Sequence, residues 1–294
     1  MEYLRKPKWL KSNKLGSTNT QYITKFMREL NLHSVCESAQ CPNKGECFER
    51  GTATFMILGD ICTRNCRFCA VDKDKSKILP PDPNEPKAIA ELSKKLNLKY
   101  VVITTVTRDD LDDGGAEHFV QVMNEVRKNN KEIKIEVLIS DLKGDKNAIL
   151  KIINANPDVF NHNVETIPKL YNKVRPMAIY QRSLDVLKYA REIKPNLLTK
   201  SGLMVGLGET KEEIFEVMDD LRKVDVNILT IGQYLQPSKK HYPVQEYVHP
   251  SIFEEYRQIA LEKGFLLVES APLVRSSYHA DRAIPYLTKT QKGV

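Results

Sequence analysis

The sequence predicts an α/β fold on parallel strands: a partial barrel of six β/α units, extended at both ends. Three observations carry that reading. From residue 52 onward, strand-like apolar runs alternate with helical patterns. The runs are apolar almost throughout rather than at every second position, as expected of strands covered on both faces. Six such units are too few to close the eight-stranded cylinder. A doubly wound open sheet fits the same alternation, because pattern does not report curvature.

The elements follow in order. Residues 1–50 form an N-terminal extension. Within it, residues 19–32 carry Tyr22, Ile23, Phe26, Met27 and Leu30 at helical spacing, which predicts a helix packed over one end of the core. Pro42 and Gly45 then mark irregular backbone. The barrel occupies residues 51–270, with strands at 53–58, 100–106, 133–139, 159–163, 198–205 and 227–231. Phe119, Met123 and Val126 share one helical face, and Ile214, Val217, Met218, Leu221 and Val224 share another. Thr210 followed by Glu213 opens the latter as a capping box, in which side chains satisfy the unpaired N–H groups of a first turn. Ser251 and Glu254 repeat that spacing before a helix that Gly264 stops. A last strand at 265–268 leads into a tail, residues 271–294.

Composition excludes several classes. No run approaches the ~18 apolar residues of a membrane span, and the N-terminus lacks the apolar centre of a secretory signal. The net charge of +7 comes from basic residues spread along the chain rather than gathered in a stripe, which argues against nucleic acid and for a solvated face. An acidic docking partner is the next reading. The compartment expected is the cytoplasm, where thiols stay reduced; the basic N-terminus keeps a trimmed import segment open.

The chemistry gathers in the cysteines. All six lie between Cys36 and Cys69, as Cys36-x4-Cys41-x5-Cys47 and Cys62-x3-Cys66-x2-Cys69. A disulfide framework belongs to small secreted domains. Structural zinc needs four ligands in paired spacings, and each set stops at three; His33 is a candidate fourth for the first set, although a surface histidine is the plainer reading. A four-iron cube accepts three thiolates and keeps one iron for another ligand.

The second triplet, with Phe68 just before Cys69, matches the signature of the radical S-adenosylmethionine (SAM) superfamily. It follows the apolar run 52–58, so the cysteine loop leaves the C-terminal end of a strand, where parallel barrels place their chemistry. The rarer first triplet, RSSYHA at 275–280, TRDDLDDGGA at 107–116, NHNVET at 161–166 and GLMVGLGE at 202–209 together resemble the lipoyl synthases over most of the chain.

That resemblance implies a partial (β/α)6 TIM-type barrel of the radical SAM kind and two 4Fe–4S clusters. Cys62, Cys66 and Cys69 would hold the cluster whose open iron binds SAM. Cys36, Cys41 and Cys47 would hold a sacrificial auxiliary cluster, with Ser277 as oxygen ligand and Ser276 as the fallback. Among polar residues at strand ends, Thr107, Asp109, Asn163, Glu165, Lys200 and Gln233 are the candidates for contacting SAM. Buried, Lys200 would require an anionic partner. The implied reaction inserts sulfur at carbons 6 and 8 of an octanoyl chain, amide-linked to a lysine of a lipoyl-carrier domain, through adenosyl radicals. An aliphatic C–H bond is too weakly acidic for a side-chain base, so no catalytic residue beyond the cluster ligands is expected; the six histidines show no triad or metal spacing. The resemblance further implies a one-electron reductant such as a flavodoxin or ferredoxin, and a monomer.

The runner-up is a tRNA methylthiotransferase, which also carries two triplets but needs an N-terminal domain and an RNA-binding C-terminal module. Biotin synthase lacks the first triplet. An electron carrier would have no use for an open iron beside a substrate-sized mouth.

Overall fold

A computed structural model describes residues 4–10, 18–38, 41, 43, 46–47 and 52–291. Two helices precede the sheet, α1 Thr18–Glu29 and α2 Val35–Ser38. Seven strands then pair in chain order, every pair parallel: β1 Thr52–Ile57, β2 Tyr100–Thr105, β3 Lys134–Leu138, β4 Val159–Asn161, β5 Leu198–Val205, β6 Ile228–Gln233 and β7 Leu267–Ser270. The connections carry α3 Glu85–Lys95, α4 Ala116–Asn129, α5 Lys146–Asn154, α6 Tyr171–Val174 with α7 Tyr180–Ile193, α8 Lys211–Lys223 and α9 Pro250–Glu262; α10 Ile284–Gln291 closes the tail. Six β/α units are therefore present, and the last predicted strand joins the sheet beside β6, with Ile228 opposite Leu267.

Strand parity sorts the core, because successive side chains leave opposite faces of a sheet. Val101, Ile103, Ile135, Val137, Phe160 and Leu229 face the helices in the main apolar cluster. Tyr100, Val102, Val159, Leu198 and Ile228 form a second cluster with Ala280, Ala283 and Leu287. Four of those five open their strands or stand at the first position, so the tail packs against the end of the barrel where the strands begin. Above that apolar layer sits a polar one. Lys200 Nζ lies 2.9 and 3.1 Å from the two carboxylate oxygens of Glu136. Tyr100 Oη and Asn161 Nδ2 donate to the same carboxylate at 2.9 and 2.8 Å. Three donors thus satisfy the Glu136 carboxylate out of water, which is the condition for burying such charges.

Local signals behave as their chemistry demands, with one correction. Thr210 and Glu213 form the reciprocal capping box of α8. At α9 the expected cap at Ser251 is displaced: Pro250 occupies the first helical turn, where its missing N–H is no loss, and the His249 side chain accepts from the Ser251 N–H. Gly264 follows that helix at φ +93°, a left-handed conformation that glycine adopts without strain.

Candidate functional site

The mouth of the barrel holds a cavity of about 610 Å³, within the usual range for small-molecule sites. Its walls come from the loops that follow the strands. Cys62, Cys66 and Cys69 line it from the loop after β1, and Cys41 and Cys47 from the N-terminal extension. Ser276 and Ser277 reach it from the tail. Cys36 belongs to α2, but its side chain lies outside the described residues, as do Pro42 and Gly45.

The loop after β1 is stitched to nearly every neighbour. Leu58, at φ +68°, donates its N–H to buried Glu85, which also meets His118 Nε2 at 2.7 Å. Thr63 donates through N–H and hydroxyl to the Thr107 carbonyl, both at 2.9 Å, and accepts from the Asp109 N–H. Arg64 donates to both oxygens of Asp109, at 2.7 and 3.0 Å, and to Asp141 at 2.6 Å. Lys73 Nζ holds the Cys66 and Cys69 carbonyls at 2.9 and 3.1 Å, and His241 Nε2 lies 3.1 Å from the latter. A backbone fixed at this many points presents its thiols in a set arrangement.

The tail and the extension meet across the cavity. Asn43 Nδ2 donates to the Leu273 carbonyl at 2.6 Å, and Glu46 contacts Tyr278 Oη at 3.3 Å and His279 Nε2 at 3.0 Å. The tail backbone lies directly on β6, where Gln233 N–H donates to the Pro272 carbonyl. A Cβ at Gly232 would stand 2.1 Å from the Val274 carbonyl oxygen, so only glycine admits the tail there.

Each expected SAM contact has a definite place. Thr107, Asn163, Glu165 and Gln233 line the cavity. Glu165 stands at φ +66° and is buried deeply enough to push its carboxyl pKa upward. Asn163 lies between Glu165 Oε1, to which its Nδ2 donates at 3.0 Å, and the Ser276 hydroxyl. The Gln233 amide is committed to backbone: Nε2 donates to the Val205, Tyr234 and Glu246 carbonyls, and Oε1 accepts from Val248. Asp109 serves Arg64 and lies outside the cavity lining, and so does Lys200, whose anionic partner is Glu136. Both stand behind the cavity wall. Lys200 does face inward, but one layer below the cavity floor.

Sequence reasoning passed over three cavity residues. Arg175 is buried and donates through Nη1 to the Asn163 and Val164 carbonyls and to Tyr171 Oη, each at 3.1 Å, while its Nε has no partner among the described residues. His162 meets the Ile139 carbonyl through Nδ1 at 2.9 Å and leaves Nε2 unpartnered among the described residues; burial, then the nearby Arg175 charge, bring its pKa down to about 4. Arg64 sits inside the cysteine motif itself. Only its position there could have flagged it, and nothing in the pattern marks Arg175.

The donor set fits iron–sulfur cubes. Burial pushes the Cys66 thiol up and holds Cys69 at about 11, so a bound metal must displace protons from soft, water-shielded sulfur. Arg175 and Lys73 set positive charge close to these thiols, which favours the thiolate. Among the described residues, no three Cys, His, Asp or Glu groups converge as a single-ion site requires. A cube takes its thiolates at separate corners.

Comparison with known proteins follows the same lines. The radical SAM superfamily pattern matches residues 56–221. Lipoyl synthase of Caldicellulosiruptor saccharolyticus is 56% identical over 281 residues, covering 96% of this chain and 98% of that one. Lipoyl synthase of Caldicellulosiruptor bescii is 51% identical over 292 residues, covering 99% of this chain and 100% of that one. Among solved structures, methylornithine synthase superposes with a TM-score of 0.58 at 15% identity, covering 84% of this chain and 82% of its own, a likeness of fold.

Proposed function

This chain belongs to the lipoyl synthase family of the radical SAM superfamily, and we propose that Cys62, Cys66 and Cys69 hold the SAM-binding 4Fe–4S cluster. Cys36, Cys41 and Cys47, with Ser277, hold the auxiliary one. The enzyme is a radical SAM sulfurtransferase that builds the lipoyl cofactor. When bound, the two clusters supply one-electron cleavage of SAM and the sulfur for insertion.

The chain's own residues bind, orient and exclude water. Thr107 and Glu165 offer polar groups to SAM from the cavity wall, and Asn163 holds Glu165 by hydrogen bond. Arg175, whose Nε has no partner among the described residues, supplies a buried cation for an anionic group. His162, neutral at physiological pH, keeps Nε2 as an acceptor. Gln233 and Glu209 fix the loops: Glu209 accepts from the Gly206 and Leu207 N–H groups. Lys200 and Asp109 act behind the cavity wall, through Glu136 and Arg64.

Residues 51–270 are the catalytic barrel, residues 1–50 are the extension that carries the auxiliary-cluster cysteines, and residues 271–294 are the tail that carries the RSSY motif, with Cys41 and Cys47 of the one and Val274–Tyr278 of the other lining the cavity. The substrate is carried on a lipoyl-carrier protein. A flavodoxin or ferredoxin supplies electrons, the enzyme works as a monomer in the cytoplasm, and it engages no nucleic acid. No helix among the described residues is long and apolar enough to cross a membrane.

One observation carries the reading: Cys41 and Cys47 of the first set, all three cysteines of the second and both RSSY serines line a single cavity. Anaerobic iron and sulfide analysis tests it. Two cubes require about eight of each per chain; about four, or zinc in their place, overturns the two-cluster assignment.

A further inference from the structure

We propose that Asn161 and Asn163 clamp the Ser276 hydroxyl, and that this clamp sets the register of the tail so that Ser277 is turned to the auxiliary cysteines. The proposal rests on the assignment of Ser277 above and explains how the chain divides two adjacent serines. Ser276 is a positioning residue in it.

The polarity of the clamp is dictated by two carboxylates. Asn161 points an amide edge at Glu136 Oε1, 2.8 Å away. A carboxylate accepts only, so that edge is Nδ2, and the same Nδ2 donates to Ser276 Oγ at 3.1 Å. Asn163 likewise turns Nδ2 to Glu165 Oε1 at 3.0 Å, which leaves Oδ1 facing Ser276 Oγ at 3.2 Å. The Ser276 hydroxyl therefore accepts from one asparagine and donates its proton to the other. Ligating iron as an alkoxide would require giving up that proton and breaking the second bond. Ser277 lines the same cavity as Cys41 and Cys47 without such commitments among the described residues.

The fold clears space for the clamp. A Cβ on Gly202 would stand 3.0 Å from Asn163 Oδ1 and 2.5 Å from Thr230 Oγ1, so glycine in β5 gives the amide its place. Gly232 does the same for the Val274 carbonyl two residues before Ser276. Behind Asn161, the Glu136–Lys200 pair anchors the clamp to the polar layer of the barrel.

The test uses anaerobically prepared holoenzyme, with hydrogen exchange across residues 274–279 and Mössbauer spectra of both clusters. Ser276→Ala should speed exchange of that segment roughly tenfold, as expected for losing a hydrogen-bonded anchor. It should also perturb the auxiliary-cluster spectrum while leaving that of the SAM cluster unchanged. Asn161→Ala should do the same, and the double variant should add little, because both remove one interaction. Wild-type exchange and an unperturbed auxiliary spectrum in Ser276→Ala would overturn the clamp. Ser277→Ala separates the two ideas: an auxiliary spectrum it leaves untouched defeats the ligand assignment, while the exchange of Ser276→Ala still judges the clamp.

Discussion

Arg64, two residues after Cys62, places its Nη2 2.6 Å from the carboxylate of Asp141 beyond β3, and both side chains are buried. The cysteine loop is thereby anchored two strands away from the one it leaves. Asp109 grips the same guanidinium at 2.7 Å, and Arg182 reaches Asp141 from the other side at 3.3 Å.

Arg64 keeps Asp109 when Asp141 is neutralised, so what is lost is a charge-assisted hydrogen bond rather than a whole ion pair. Asp141→Asn should lower stability by ~1.5–3 kcal/mol, read as a drop in Tm of the anaerobic protein. The pH dependence follows from the same pair. Burial alone would raise the Asp141 pKa, but hydrogen bonds and charge from Arg64 outweigh it and bring it down to about 2. A folded value below the unfolded ~3.9 means the stabilisation is present above that pH and fades as the pH falls toward about 2. Melts along an acid series should be flatter for Asp141→Asn than for wild type across this window.

The two cysteine sets should fail differently. Cys62→Ala should abolish formation of 5′-deoxyadenosine and roughly halve the iron content. Cys41→Ala should keep cleaving SAM yet insert no sulfur into an octanoyl-lysyl peptide. Product analysis by mass spectrometry reads both, and normal lipoylation by Cys41→Ala would remove the sacrificial role from the first set.

Lys200→Met leaves Glu136 buried without its cation. A stability loss of ~3–5 kcal/mol is expected, with SAM affinity within about twofold of wild type, since binding energy is lost only where contacts are lost. A tenfold weaker Kd in a variant that still folds would return Lys200 to direct contact with SAM.

Gly232→Ala places a Cβ against the Val274 carbonyl oxygen, a backbone atom with no rotamer to yield. The tail must shift or leave, at about 1–3 kcal/mol if it stays. SAM cleavage should persist while sulfur insertion falls, and limited proteolysis should cut the tail faster. Full coupling in this variant would show that tail seating on β6 is dispensable.

Much of this was legible in residue order. Cysteine spacing is a local property, and so is a capping box, which is why Thr210 and Glu213 read correctly. The alternation of apolar runs and helical stripes likewise announces parallel strands, since each must be covered on both faces.

Depth was not legible. How far along the barrel axis an inward residue stands depends on the register between strands, and register is a relation between distant segments. That relation set Lys200 beside Glu136, below the cavity, and left Glu165 within it. Pairings such as Arg64 with Asp141, or Ser276 with two asparagines more than a hundred residues earlier, exist only once the strands lie side by side. Sequence determined which atoms could bind iron and where strands and helices run, because spacing and periodicity act along the chain. Tertiary structure decided which polar groups are already satisfied and which face the cavity, because burial and hydrogen bonding act across it.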